Sequence, residues 1–188
     1  MPRYLRYLLD RLHTAGGLVE QGHIKSLAEA TRAAPVVVNC SGLGARALAD
    51  DVSVFPIQGQ LVVVRNPGIT TFFSEDTGES RYLTHYLPHG DTVVLGGTAD
   101  PDLLDSEPNP EAAAAILARC AQIQPLLRDV DVLEYRIGHR PTRPEVRVEA
   151  EEVGNTRVIH NYGHGGAGVS LSWGCATTVK DLAVAASC

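Results

Sequence analysis

No stretch of the chain is apolar for long enough to span a bilayer, and Met1-Pro2-Arg3-Tyr4 leads into an amphipathic segment instead of a signal peptide. Cysteine is sparse. Cys40, Cys120, Cys175 and Cys188 stand far apart with no CxxC pair, which excludes a disulfide-stapled scaffold and points to free thiols in a reducing compartment. Basic residues are outnumbered, 16 Lys and Arg against 22 Asp and Glu, so no dominant face for nucleic acid or anionic lipid is expected. There is no HExxH and no nucleophile motif, and the seven histidines do not read as a metal site: His85 and His89 sit four apart across Pro88 in an expected strand. The closing residues Ala186, Ser187 and Cys188 form no organelle address. The expectation is a cytoplasmic protein of small soluble ligands, without nucleic acid, membrane or metal, and with a homodimer left open.

With 44% hydrophobic and 20% charged residues, the 188-residue chain can bury a core as one large domain or two small ones. Tyr4, Leu5, Leu8, Leu9 and Leu12 recur at helical spacing up to Gly16-Gly17, predicting an amphipathic helix packed on a sheet. Short strands are expected at Leu18-Val19 and near Ile24, and a helical turn or two over residues 27–31. Val36-Val37-Val38-Asn39 is a β-branched run of the kind that forms a parallel strand covered on both faces. From residue 58 to about 97 the texture is antiparallel: strands at 60–64, 81–87 and 92–95 separated by Pro, Gly and Asn turns. Residues 110–124 read as a helix with Pro110 at its start, 136–147 as proline-interrupted extended chain, 157–160 as a strand, and 169–186 as a closing helix. The order implies an α/β layer interrupted by an α+β insert.

Two strand–glycine turn–helix junctions present backbone N–H groups and the positive end of a helix dipole. Gly42-Leu43-Gly44-Ala45-Arg46-Ala47 is formally GxGxxA, but no ribose-binding acid follows about 20 residues on, so a tight strand-to-helix turn competes with a pyrophosphate loop. The second runs His160-Asn161-Tyr162-Gly163-His164-Gly165-Gly166-Ala167-Gly168-Val169-Ser170, with glycines that let the backbone approach something flat or anionic. A third segment, Arg136-Ile137-Gly138-His139-Arg140-Pro141-Thr142-Arg143-Pro144, places Arg136, Gly138 and Arg140 on one side of an extended chain. A guanidinium held there suits two-point carboxylate binding, set against surface ion pairing.

The RxGxRPxRP segment, together with Val158-Ile159-His160-Asn161-Tyr162-Gly163-His164-Gly165-Gly166, Gly168, Gly174 and Ala176, resembles the D-amino-acid oxidase family, which includes D-aspartate oxidase. Asn39-Cys40-Ser41-Gly42, Gly59-Gln60 and Leu95-Gly96-Gly97-Thr98 extend the resemblance over nearly the whole chain, without the N-terminal GxGxxG segment of a typical relative. The resemblance implies a partial FAD-binding α/β region at 1–56, an antiparallel substrate-binding domain at 57–145, and a return to the FAD-binding region at 146–188.

It also implies that Arg140 binds the substrate α-carboxylate and that Tyr86 or Tyr82 donates a hydrogen bond and shapes the pocket, with Gly166 also at the substrate. Ile24, Ser41, Gly42, Gly165, Gly166, Ala167, Gly168, Val169 and Ser170 would contact FAD. The implied reaction is hydride transfer from a D-amino acid to flavin, giving a 2-oxo acid, ammonia and, with oxygen, hydrogen peroxide. Arg81 reads as a solvated arginine more than as a selector of acidic side chains. A glycine- or sarcosine-type flavin amine oxidase, and a truncated non-catalytic fragment that binds FAD weakly or not at all, stand as alternatives.

Overall fold

The computed structural model describes residues 1–75 and 82–185, so Arg81 and residues 186–188 lie outside the described residues. Eight strands form one mixed sheet: β1 Val36–Asn39, β2 Phe55–Arg65, β3 Phe73–Glu75, β4 Thr84–His89, β5 Thr92–Gly96, β6 Asp100–Pro101, β7 Val132–Val153 and β8 Thr156–His164. The order is β1-β8-β7-β2-β5-β4-β3, with β6 paired to β2. Only the β1–β8 pair is parallel. The expected α/β layer and antiparallel region are therefore both present, as the two wings of one sheet, and β7 belongs to both.

Helix α4, Pro110–Ile123, covers the antiparallel wing. Its Ala113, Ile116 and Cys120, spaced three and four apart, meet Val62, Val64, Tyr86, Val93 and Leu95 in the main core. Asn109 fixes where the helix begins: its Oδ1 accepts from the Glu111 and Ala112 N–H groups. Gln60 then ties that cap to the sheet, donating to the Asn109 carbonyl at 2.9 Å and accepting from its N–H at 2.8 Å. This explains a glutamine that is only 2% exposed.

The other wing is thinner. α1, Pro2–Thr14, stops at Gly16 as its spacing predicts, yet it has no buried residue, and it meets α5, Gly168–Val184. Trp173 Nε1 donates to the Tyr4 hydroxyl at 2.8 Å. The expected strands near Leu18 and Ile24 do not form: that stretch is irregular up to α2, Leu27–Ala30, and Leu18 and Val19 are exposed. β1 forms where the β-branched run predicts, but it is the end strand, and Val38 is 43% exposed instead of covered on both faces.

Leu95 is fully buried between α4 and β2. Leu95→Ala should lower stability by about 2–5 kcal/mol, read from urea unfolding with an unchanged slope.

Candidate functional site

Because β1 and β8 run parallel, their C-terminal ends emerge at the same edge, each into a tight turn and a helix. β1 passes through the turn Gly42–Gly44 into α3, Ala45–Leu48, and β8 through the turn Gly165–Ala167 into α5. Such an edge is where open α/β sheets hold ligands. Gly42 and Gly165 adopt φ of +59° and +55°, in the left-handed region that favours glycine. Space is short at Gly165 and ordinary at Gly42. A Cβ on Gly165 would stand 3.3 Å from Thr142 Oγ1, and one on Gly42 3.5 Å from the Pro141 ring.

Both turns thus pack against the middle of β7, and Ser41 is held beside them by its N–H donating to Asn39 Oδ1 at 3.1 Å. The N-terminus of α5 has no side-chain cap and no acidic residue in its first turn, so its free N–H groups and dipole favour an incoming anion. Gly166, Ala167, Val169 and Ser170 are solvent-exposed, and Gly168 is half-buried. A flat, partly anionic group therefore fits this edge. Ile24 is 47% exposed on the irregular stretch before α2.

Arg140 joins the turns to the antiparallel wing. Ile57 pairs with Arg140, Gly59 with Gly138 and Leu61 with Arg136, so Arg136 and Arg140 share one face of the sheet, as the alternation predicts. The Arg140 guanidinium lies over Gly59, in space that a Cβ there would occupy, and donates to the Thr98 carbonyl at 3.3 and 3.4 Å. The stem of the same side chain passes 3.7 Å from the Cβ position of Gly166. Arg136 differs: it is exposed and paired with Glu134 at 2.7 Å.

β7 loses its pairing with β8 between Thr142 and Arg147, around Pro144, which has no N–H to give to a ladder. A compact network closes that gap. Asp51 bonds Arg143 Nε at 2.9 Å and accepts from the Tyr162 hydroxyl at 2.9 Å, and Tyr162 in turn accepts from Arg147. Burial disfavours the Asp51 carboxylate, but hydrogen bonds from Ser53 and Tyr162 and the charge of Arg143 outweigh it and hold its pKa below the ordinary value.

Neither Tyr86 nor Tyr82 is among the residues lining the cavity that Arg140 shares with Thr98. Tyr86 is 7% exposed and stacks on Phe73, ring centroids 5.6 Å apart, in the core under α4. Tyr82 donates to Asp100 at 2.8 Å and lines an adjoining polar cavity with Gln58, Gln60, Thr98 and Asn109. Arg140 lines two cavities, one of about 270 Å³ along β7 with Gly59, Leu61 and Arg136, and one of about 200 Å³ with Ile57, Leu83, His85, Gly97, Thr98 and Ala99. Period-two alternation counted back from the Gly96 pairing would have singled out His85 and Leu83.

Residues 1–182 match the family described as FAD dependent oxidoreductase. The chain is 54% identical over 187 residues to the D-amino-acid oxidase of Rubrobacter xylanophilus and 48% identical over 184 residues to that of Streptomyces coelicolor. These alignments take in 99% and 97% of this chain and 57% of each relative, so the chain spans somewhat over half of their length. Human D-aspartate oxidase is 36% identical over 185 residues, 96% of this chain and 53% of that protein. Among solved structures, glycine oxidase from Bacillus cereus superposes with a TM-score of 0.66 at 22% identity, over 78% of this chain and 42% of that one, which shows a shared fold. On sequence, fold and the pair of glycine turns, the chain belongs to the FAD-dependent oxidoreductase family that contains the D-amino-acid oxidases.

Proposed function

We propose that this chain carries the substrate-binding side of a D-amino-acid oxidase and that Arg140 anchors the substrate carboxylate. The observation that carries the proposal is the seat of Arg140. It is half-buried, it spends its bonds on one backbone carbonyl, and among the described residues no carboxylate pairs with it. A guanidinium has five donors in a fixed fork, so an incoming carboxylate can be gripped at two points.

Residues 57–145 form the substrate side and residues 1–56 and 146–188 the cofactor side. Ser41, Gly42 and residues 165–170 would hold FAD, the uncapped N-terminus of α5 favouring negative charge on the ring system. Flavin bound there supplies the acceptor for the substrate α-hydrogen and its electron pair, with oxygen as final oxidant. Overall, a D-amino acid, oxygen and water give a 2-oxo acid, ammonium and hydrogen peroxide. The chain's own task is geometric: a carboxylate fixed on Arg140 decides which face of the α-carbon meets the glycine turns, and so which enantiomer reacts.

The test is to add FAD and then substrate without oxygen, following the oxidised flavin absorbance. Bleaching by D-alanine and not by L-alanine supports the proposal; bleaching by glycine or sarcosine alone moves the chain to a glycine-type amine oxidase. Arg140→Lys should weaken acetate binding by about 10- to 100-fold, measured by NMR titration, since a charged two-point contact is lost. Gly59→Ala should weaken it too, with a melting temperature near that of the parent, because the added methyl displaces only the mobile end of Arg140.

A further inference from the structure

Four strands present one row on the site face: Arg136 of β7, Leu61 of β2, Gly96 of β5 and His85 of β4. Neighbouring strands lie roughly 5 Å apart, so Arg140 and His85 start on strands separated by two others. Each crosses one of them. The Arg140 guanidinium leans over β2 at Gly59, and the His85 imidazole leans over β5 at Gly96, where a Cβ would collide with its Cε1 and Nε2. Two glycines on adjacent strands thus open the room in which a guanidinium and an imidazole approach one another, and both line the same 200 Å³ cavity.

We propose that His85 is a second ligand-contacting residue of this site, its imidazole N–H donating to the carboxylate held by Arg140 and its protonated form adding a second positive charge. This rests on the carboxylate role proposed for Arg140. The other residues lining the cavity, Ile57, Leu83, Gly97, Thr98 and Ala99, carry no charge, and Ser74 faces His85 across the β3–β4 ladder. On the α4 side, the Cys120 thiol reaches the His85 carbonyl and Arg119 the Gly97 carbonyl, so neither engages the ring. Burial and then the charge of Arg140 push the pKa of the empty His85 below its ordinary value. An anion opposes both effects. Carboxylate binding should therefore strengthen as pH falls and His85 takes up its proton.

The experiment is a titration of the whole chain with acetate, following the histidine ring signals by NMR between about pH 8 and about pH 6. The expected result is that acetate shifts the His85 ring signals and binds several-fold more tightly at the acid end. His85→Asn keeps a donor and should keep binding at the alkaline end while losing the pH dependence. His85→Leu should bind on the order of tenfold more weakly throughout. If either variant fails to fold, the wild-type ring signals still decide. Acetate binding that Arg140→Lys abolishes while His85 stays silent overturns the role of His85 alone. Acetate binding indifferent to Arg140→Lys, or no binding at all, overturns the Arg140 site and His85 with it.

Discussion

The double pairing of β7 is the constraint on which the rest of the molecule depends. Along its first half this 22-residue strand is laddered to β2, along its second to β8, and the change of partner falls in the segment containing Pro141 and Pro144. A strand that must serve two neighbours and cannot donate at its prolines has to break one ladder there. The Asp51, Arg143, Tyr162 and Arg147 network fills the break with charged side chains that satisfy one another. Arg140 stands at that handover, fixed by β2 on one side and reached by the glycine turn after β8 on the other.

The sequence made the backbone order of this site legible, because its signals were local. The β-branched run Val36-Val37-Val38, the Pro110 helix start and the glycine turn each depend on a few neighbouring residues, and each forms within a residue or two of its expected place. The alternation that set Arg136 and Arg140 on one face was legible for the same reason. α1 was legible as a helix but not in its packing, since periodicity shows that a helix has an apolar stripe and not which element will meet it. Leu18-Val19 shows the converse: two apolar residues become a strand only by pairing with another strand, and these two stay irregular and exposed.

The lining of the cavity beside Arg140 was less legible from local signals. Tyr86 and His85 are adjacent, so a shift of one residue in register exchanges core face for site face. Only the long-range pairing of His85 with Gly96 settles which of the two faces Arg140. The aromatic ring of Tyr86 then has its own physical account: it fills the core between Phe73 and the sheet residues under α4. Glycine usage was the overlooked cue. Gly59 lies inside β2 and Gly96 ends β5, neither in a turn, and a glycine in a strand commonly marks a place where another group comes close.

The two wings differ in how firmly they hold their parts of the site. Arg140 and His85 rise from strands whose opposite face is packed by α4, with Val62, Val64, Val93 and Ile116 fully buried. The glycine turns rise from β1 and β8, and α5, which follows one of them, has no buried residue. Local opening costs least where little apolar surface is covered, so α5 will open more readily than the seat of Arg140, whereas β8 beneath it is held by the buried Val158, Ile159 and Tyr162. The carboxylate seat proposed at Arg140 would thus rest on the wing packed by α4, while ordering α5 would add a cost that binding at its N-terminus must offset. Any group that settles against Gly42 and residues 165–168 would bind more tightly wherever the exposed faces of β1 and α5 are themselves covered, because the ordering would then precede the binding.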